Sequence, residues 1–212
     1  PPSVLLKSNM LIRGIGTKKS PKKAYENAMK FAEKTGDIPC IRFVGVCQFL
    51  GLGTDKDLKE AAKNLARAAE TDKIAQYYYG LLLKGLPEYP KNREEVQKYF
   101  KLASDQNHHD AEEQLGLLLI EREAPTFKAG LESEPTLLLD DETYEKNKRE
   151  ALGYFKRAAD ADRLESMYQE AVLLLDFNEE IPKAIELLNK TVSFNHPYSL
   201  YQYSILLEEG RG

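Results

Sequence analysis

Residues 73–107, KIAQYYYGLLLKGLPEYPKNREEVQKYFKLASDQN, read as one complete unit of helix, turn and helix. Apolar residues in KIAQYYYGLLLK keep a helical spacing, GLPEYP interrupts it, and a second helical pattern, REEVQKYFKLAS, follows Asn92. Asn107, at the far end, is a residue type that tolerates the left-handed conformation in which a helix stops and the chain reverses. The rest of the chain can be laid over this stretch, which is the third copy in an array.

Two columns of small residues establish the array. Gly45, Gly80, Gly116, Ala171 and Ser204 are spaced by 35, 36, 55 and 33 residues. Ala24, Ala61, Val96, Ala151 and Ala184, which open the second helix of each unit, are spaced by 37, 35, 55 and 33. One repeat of about 35 residues, interrupted once by about 20 more, accounts for both columns. The units run over 1–36, 37–72, 73–107, 108–162 and 163–195, with a half unit over 196–212. The interruption, 122–146, is rich in proline and acid and reads as a loop inserted between the two helices of the fourth unit. Its Leu137, Leu138 and Leu139 are expected to pack on the flank of the array or to meet a partner.

The punctuation repeats as well. Ser20 with Pro21, Asp57 with Glu60, Asn92 with Glu95 and Asn147 with Glu150 mark helix starts, where a side-chain oxygen can satisfy an orphan amide. Gly36, Asp72, Asn107, Asp162 and Asn195 mark the ends of the second helices, so successive helices should alternate in direction. Stripes such as Tyr99, Phe100 and Ala103, Tyr154, Phe155 and Ala158, and Leu187, Leu188 and Thr191 have the spacing that buries one helix face. The half unit HPYSLYQYSILLEEGRG has no second helix after it, and the chain is expected to be a segment of a longer protein, because a repeat array needs a polar cap over its last apolar face.

With 30 basic and 34 acidic residues the 212-residue chain carries a net charge of −4, which gives no general reason to expect nucleic-acid or anionic-membrane binding. The charge is unevenly spread: residues 1–36 carry +6 and residues 108–162 carry −7. There is no run of about twenty apolar residues, and the start PPSVLLKSN lacks the features of a signal peptide. Cys40 and Cys47 lie seven residues apart on one predicted helix, about 10 Å along its axis and beyond disulfide reach. They are expected to be buried free thiols. This favours a reducing compartment and a cytoplasmic location, with the lumen of the secretory pathway, in a membrane-anchored complex, as the alternative.

The pattern A-x-x-x-L-G-x-x-x-x-x-G-x-G followed by D-x-x-K-A and later A-A resembles the Sel1-like repeat family, relatives of tetratricopeptide repeats. It is carried by Gly45 with Gly51 to Gly53, by Ala111 with Leu115 and Gly116, by Ala151 with Ala158 and Ala159, and by Ser20 to Ala24. Glu170 stands where an apolar residue is usual, and the third unit turns one residue early at Gly85. The resemblance implies an all-α fold, a right-handed superhelix of about eleven helices in antiparallel pairs, whose first helices line the concave surface. It also implies a role in holding other proteins together without chemistry of its own.

If the small column packs at the helix contact, the residues three and two positions before it face the groove. These are Arg42 and Phe43, Tyr77 and Tyr78, Glu113 and Gln114, Tyr168 and Gln169, and Tyr201 and Gln202, with Phe49 extending the row. Tyrosine offers a large contact area with a polar tip, and glutamine can pair with a peptide backbone, so the row suits a protein or peptide segment. The same periodicity also places aromatic rings in cores. Arg42 and Lys84 stand nearly alone as cations in the groove, which argues against a clamp for an acidic C-terminal tail.

Other signals point to no chemistry. His108-His109-Asp110 has adjacent histidines that project in different directions, and His196 reads as a turn or cap residue. Lys18, Lys19, Lys22 and Lys23 read as solvated surface rather than a nucleic-acid site. Asp140-Asp141-Glu142 lacks a calcium loop. The chain is thus expected to be a non-enzymatic adaptor with a protein partner, no cofactor, no metal, no nucleic acid and no direct membrane insertion; the oligomeric state stays open. The alternative is a regulatory or substrate-targeting arm of a larger enzyme such as a protein kinase.

Overall fold

The computed structural model describes residues 3–88, 91–121 and 141–210, and these form eleven α-helices and no strand. The helices fall into two compact units, Pro1–His108 and His109–Gly212. The first unit holds α1 (Val4–Arg13), α2 (Pro21–Thr35), α3 (Ile38–Leu50), α4 (Leu58–Ala68), α5 (Lys73–Lys84) and α6 (Arg93–Ser104). The second holds α7 (His109–Ile120), α8 (Asp141–Asp160), α9 (Leu164–Asp176), α10 (Ile181–Ser193) and α11 (Pro197–Glu208). Within each unit, neighbouring helices pack as pairs and each pair packs on the next. No described helix is long and apolar enough to cross a membrane.

The Ala24 column and the first four members of the Gly45 column lie at helix contacts. Ala24, Ala61, Val96, Ala151 and Ala184 are all completely buried. Opposite them, a Cβ added to Gly45 would stand 2.9 Å from Leu65 Cγ, and one added to Gly80 or Gly116 would stand 2.7 Å from the ring of Phe100 or Phe155. In these three pairs the first helix thus presents bare backbone to the large side chain of the second, and dispersion contacts close the seam. Ala171 continues the column and is fully buried, whereas Ser204 is exposed and its hydroxyl donates to the carbonyl of Tyr201 in its own helix.

Capping divides into sites that form as expected and sites where a competing partner prevails. Asp57 accepts hydrogen bonds from the backbone N–H groups of Lys59 and Glu60, as a cap should. Ser20 precedes Pro21 at the start of α2, but its hydroxyl makes no capping bond. The Asn92 amide instead donates to the carbonyl of Leu83 at the end of α5, so it ties the turn rather than capping α6. Asn147 and Glu150 lie inside α8, which begins six residues earlier at Asp141. Asp141 to Lys146, expected in the inserted loop, are therefore helical, and Asp141 and Glu142 complement the positive end of the helix in its first turn. Leu137, Leu138 and Leu139 lie outside the described residues.

The expected left-handed stops occur at Gly36, Asn107, Asp162 and Asn195, with φ of 70°, 57°, 60° and 57°. Asp72 departs from this, with φ of −101°, because it serves the following helix. Its carboxylate accepts from the N–H groups of Ile74 and Ala75 and caps α5. Glu170, the acid at an apolar position, is 1% exposed and faces Lys183 Nζ of α10 at 2.7 Å. The cation from the packed neighbour neutralises it.

Candidate protein-interaction surfaces

The expected row lies on the first helices, and its members are half-buried except Tyr201, which is 68% exposed. The two residues of each pair behave differently. Three of the first residues reach the residue that precedes the next first helix, each within one unit. Arg42 Nη1 donates to Asp72 Oδ2 at 2.8 Å, the ring of Tyr77 stacks on His108 at 4.7 Å between centroids, and Tyr168 lies 5.0 Å from His196. Asp72, His108 and His196 all stand eight residues before the small column, so one contact recurs between adjacent repeats in three chemistries. At the equivalent place in the second unit, Glu113 accepts from the Ser166 hydroxyl at 2.9 Å and feels the charge of Arg163. Arg42, Tyr77, Glu113 and Tyr168 thus tie adjacent repeats together.

In the first unit the second residues are aromatic. Tyr78 meets Tyr77 edge-on at 5.3 Å and Phe49 at 6.1 Å, and both Phe49 and Tyr78 rest on the buried core around Leu65 and Ile41. The alternatives of groove and core are therefore not exclusive: one side of each ring is packed while the residue remains partly accessible. Phe43 is likewise half-buried on α3. Such anchored rings have already lost most of their rotamer freedom, which lowers the entropic cost of using them in a contact.

In the second unit the surface is more polar. Gln114, Gln169 and Gln202 are half-buried, and the Gln169 amide donates to Glu165 Oε1 at 2.7 Å. The other Glu165 oxygen lies 3.2 Å from His196 Nε2, while His196 Nδ1 lies 2.8 Å from the Ser199 hydroxyl. Tyr198, 63% exposed, stands 6.1 Å from Tyr168. Glu165 and Tyr198 were not singled out by sequence, and His108 and His196 were read there only as turn or cap residues. Their signal was the column eight residues before the small residue, where an acid caps α3 and α5 and a histidine substitutes twice.

Burial pushes the Glu113 carboxyl above the ordinary carboxylate range, the Ser166 hydrogen bond opposes that shift, and the charge of Glu165 reinforces it. The folded chain therefore binds this proton more tightly than the unfolded chain. The resulting stabilisation is fully present below the unfolded value of 4.5 and is lost as pH rises through the higher folded value. At neutral pH the ionised group opposes folding. Glu113→Gln, whose amide oxygen can still accept from Ser166, is expected to raise Tm at neutral pH and to leave it unchanged at about pH 4 and below. Calorimetry of both chains at the two pH values checks this.

The remaining reactive groups are quiet. Cys40 and Cys47 are free and buried, and burial pushes each thiol up to about 12, with Asp37 adding to the effect at Cys40. Neither is a ready nucleophile. His108 stacks on Tyr77 while His109 pairs with Glu112, and no group of three or more metal-ligating side chains converges among the described residues.

The Sel1 repeat model matches residues 9–34, 38–71, 73–108 and 138–162, more than half of the chain. The chain belongs to the Sel1 repeat family. Helices α9 and α10 add a further hairpin beyond those four matches. Among solved structures, a protective antigen of uropathogenic Escherichia coli strains with an SLR fold is similar with a TM-score of 0.77 and 16% identity. A Sel1 repeat protein from Oxalobacter formigenes is similar with a TM-score of 0.73 and 19% identity. Each likeness covers 98% of this chain; the chain spans 41% of the antigen and 78% of the Oxalobacter protein. At these identities the likeness shows the fold alone: an all-α fold of repeated helix pairs. No curated protein matches the chain.

Proposed function

We propose that this Sel1 repeat chain is a non-enzymatic scaffold that holds a protein or peptide segment on the first-helix surfaces, with Phe43, Phe49 and Tyr78 on the first unit and Gln114, Gln169, Tyr201 and Gln202 on the second. The observation that carries the reading is the half-buried aromatic ladder Phe49–Tyr78–Tyr77, in which packed rings remain partly accessible. Aromatic anchors on a rigid support are the usual energetic centres of protein interfaces, and glutamine amides beside them can pair with a partner's backbone. Membership of a repeat family made of stacked helix pairs supports the same reading, because such surfaces grow by repetition and suit extended partners.

Affinity capture with the intact chain beside a Tyr77→Ala, Tyr78→Ala, Tyr168→Ala variant tests it. The variant, shown to be folded by circular dichroism, should lose the captured partner, because truncating a central aromatic anchor costs about 2 kcal/mol or more in binding. Equal capture by both chains would sink the proposal.

A further inference from the structure

We infer that the first helix pair carries a second binding site, a basic cavity between α1 and α2 that takes an acidic protein segment by seating one apolar side chain between carboxylates. The inference is independent of the tyrosine surfaces. A cavity of about 420 Å³ is lined by Val4 and Lys7 of α1 and by Asn27, Lys30, Phe31 and Lys34 of α2. The α2 residues follow the spacing of one helix stripe, as do the two from α1. Val4 and Phe31 rest on the buried core of the first unit and form a fixed apolar floor, while Lys7, Lys30 and Lys34 stand exposed around it.

The charges of this cavity are unanswered among the described residues. In the second unit Lys148, Arg149, Lys156, Arg157, Arg163, Lys183 and Lys190 each hold a carboxylate. Lys7, Lys30 and Lys34 form no ion pair among the described residues, and the two acids of α2, Glu26 and Glu33, do not line the cavity. Three like charges around an apolar floor repel one another, and an anionic ligand relieves that repulsion.

The composition selects the class of anion. Phosphodiester ligands favour arginine forks and exposed rings on which bases stack; the cavity offers neither, since its cations are all lysines and its single ring forms the floor. A membrane surface requires a projecting, exposed apolar face, whereas Val4 and Phe31 are half-buried and packed on the core of the first unit. An acidic peptide supplies carboxylates for the lysines, an apolar side chain for Val4 and Phe31, and backbone groups for the Asn27 amide.

The test is fluorescence polarisation of the full chain with a labelled acidic peptide, Glu-Asp-Glu-Leu-Asp-Glu-Asp. Binding is expected, with affinity falling about tenfold or more in Lys30→Glu, Lys34→Glu and falling similarly when the peptide's leucine is replaced by serine. The charge-matched Lys18→Glu, Lys19→Glu variant, which alters the same helix pair outside the cavity, and the triple tyrosine variant should bind as the parent does. The proposal is overturned if the chain does not bind the peptide, if the Lys18 and Lys19 changes weaken it equally, if the serine peptide binds as tightly, or if heparin or phosphatidylserine vesicles bind in preference to the peptide.

Discussion

Replacing Gly53 by alanine is expected to destabilise the chain by about 3 kcal/mol or more, through two separate effects. Gly53 has φ of 77°, where a side chain costs about 1–2 kcal/mol by itself. A Cβ there would also stand 2.3 Å from the carbonyl oxygen of Pro21 and 2.7 Å from the backbone nitrogen of Lys22. Those atoms belong to the start of α2 and cannot turn aside as a side chain can. The turn after α3 must then move off the preceding helix pair, with the steric cost of overpacking added to the conformational one. Gly210 supplies the control: its φ is 67° but nothing lies within 4 Å of an added Cβ. Gly210→Ala should therefore show only the conformational part. Urea unfolding followed by circular dichroism separates the two, and equal losses would mean that the close approach at Gly53 carries no energy.

Gly116→Ala is expected to cost about 2 kcal/mol, because the added methyl would stand 2.7 Å from the completely buried ring of Phe155. The ring is confined on all sides, so the helix pair α7–α8 must open. Combining Gly116→Ala with Phe155→Leu should recover part of the loss, since the two changes share one contact and are not additive. Gly153 behaves oppositely: it lies in α8 with nothing within 4 Å of an added Cβ. Gly153→Ala should stabilise by about 0.5–1 kcal/mol through helix propensity alone. The three variants together distinguish glycine required for packing from glycine tolerated in a helix.

These glycines show why the fold was legible in the sequence. A stack of helix pairs must place a small residue wherever two backbones approach, so the columns at Gly45 and Ala24 repeat with the architecture and can be counted. Caps were less legible because a polar side chain takes the best partner that tertiary structure offers. Asn92 turns to the Leu83 carbonyl, and Asp72, expected to end α4 in a left-handed conformation, instead caps α5 and holds Arg42. The start of α8 was missed because proline and acid in the preceding stretch suggested a loop, while Asp141 and Glu142 are equally suited to a helix N-terminus.

The contacts made by the expected row were less legible. Helical spacing placed Arg42, Tyr77 and Tyr168 on one column, yet spacing alone does not show that each meets the head residue of the next first helix. That contact depends on how far one repeat is shifted against the next. It assigns Arg42, Tyr77 and Tyr168 to holding repeats together and leaves second residues such as Tyr78 or Gln169 as the better probe of partner contact.

Site-specific photo-crosslinking tests the binding surface most directly. A benzophenone amino acid replaces Tyr78 or Gln169, or Lys59 on the exposed face of α4 as a control, and each chain is irradiated with the partner captured by the intact protein. The expected result is a partner adduct from positions 78 and 169 and none from position 59. Adducts from position 59 alone, or from all three positions equally, would contradict the assignment of the binding surface to the first helices.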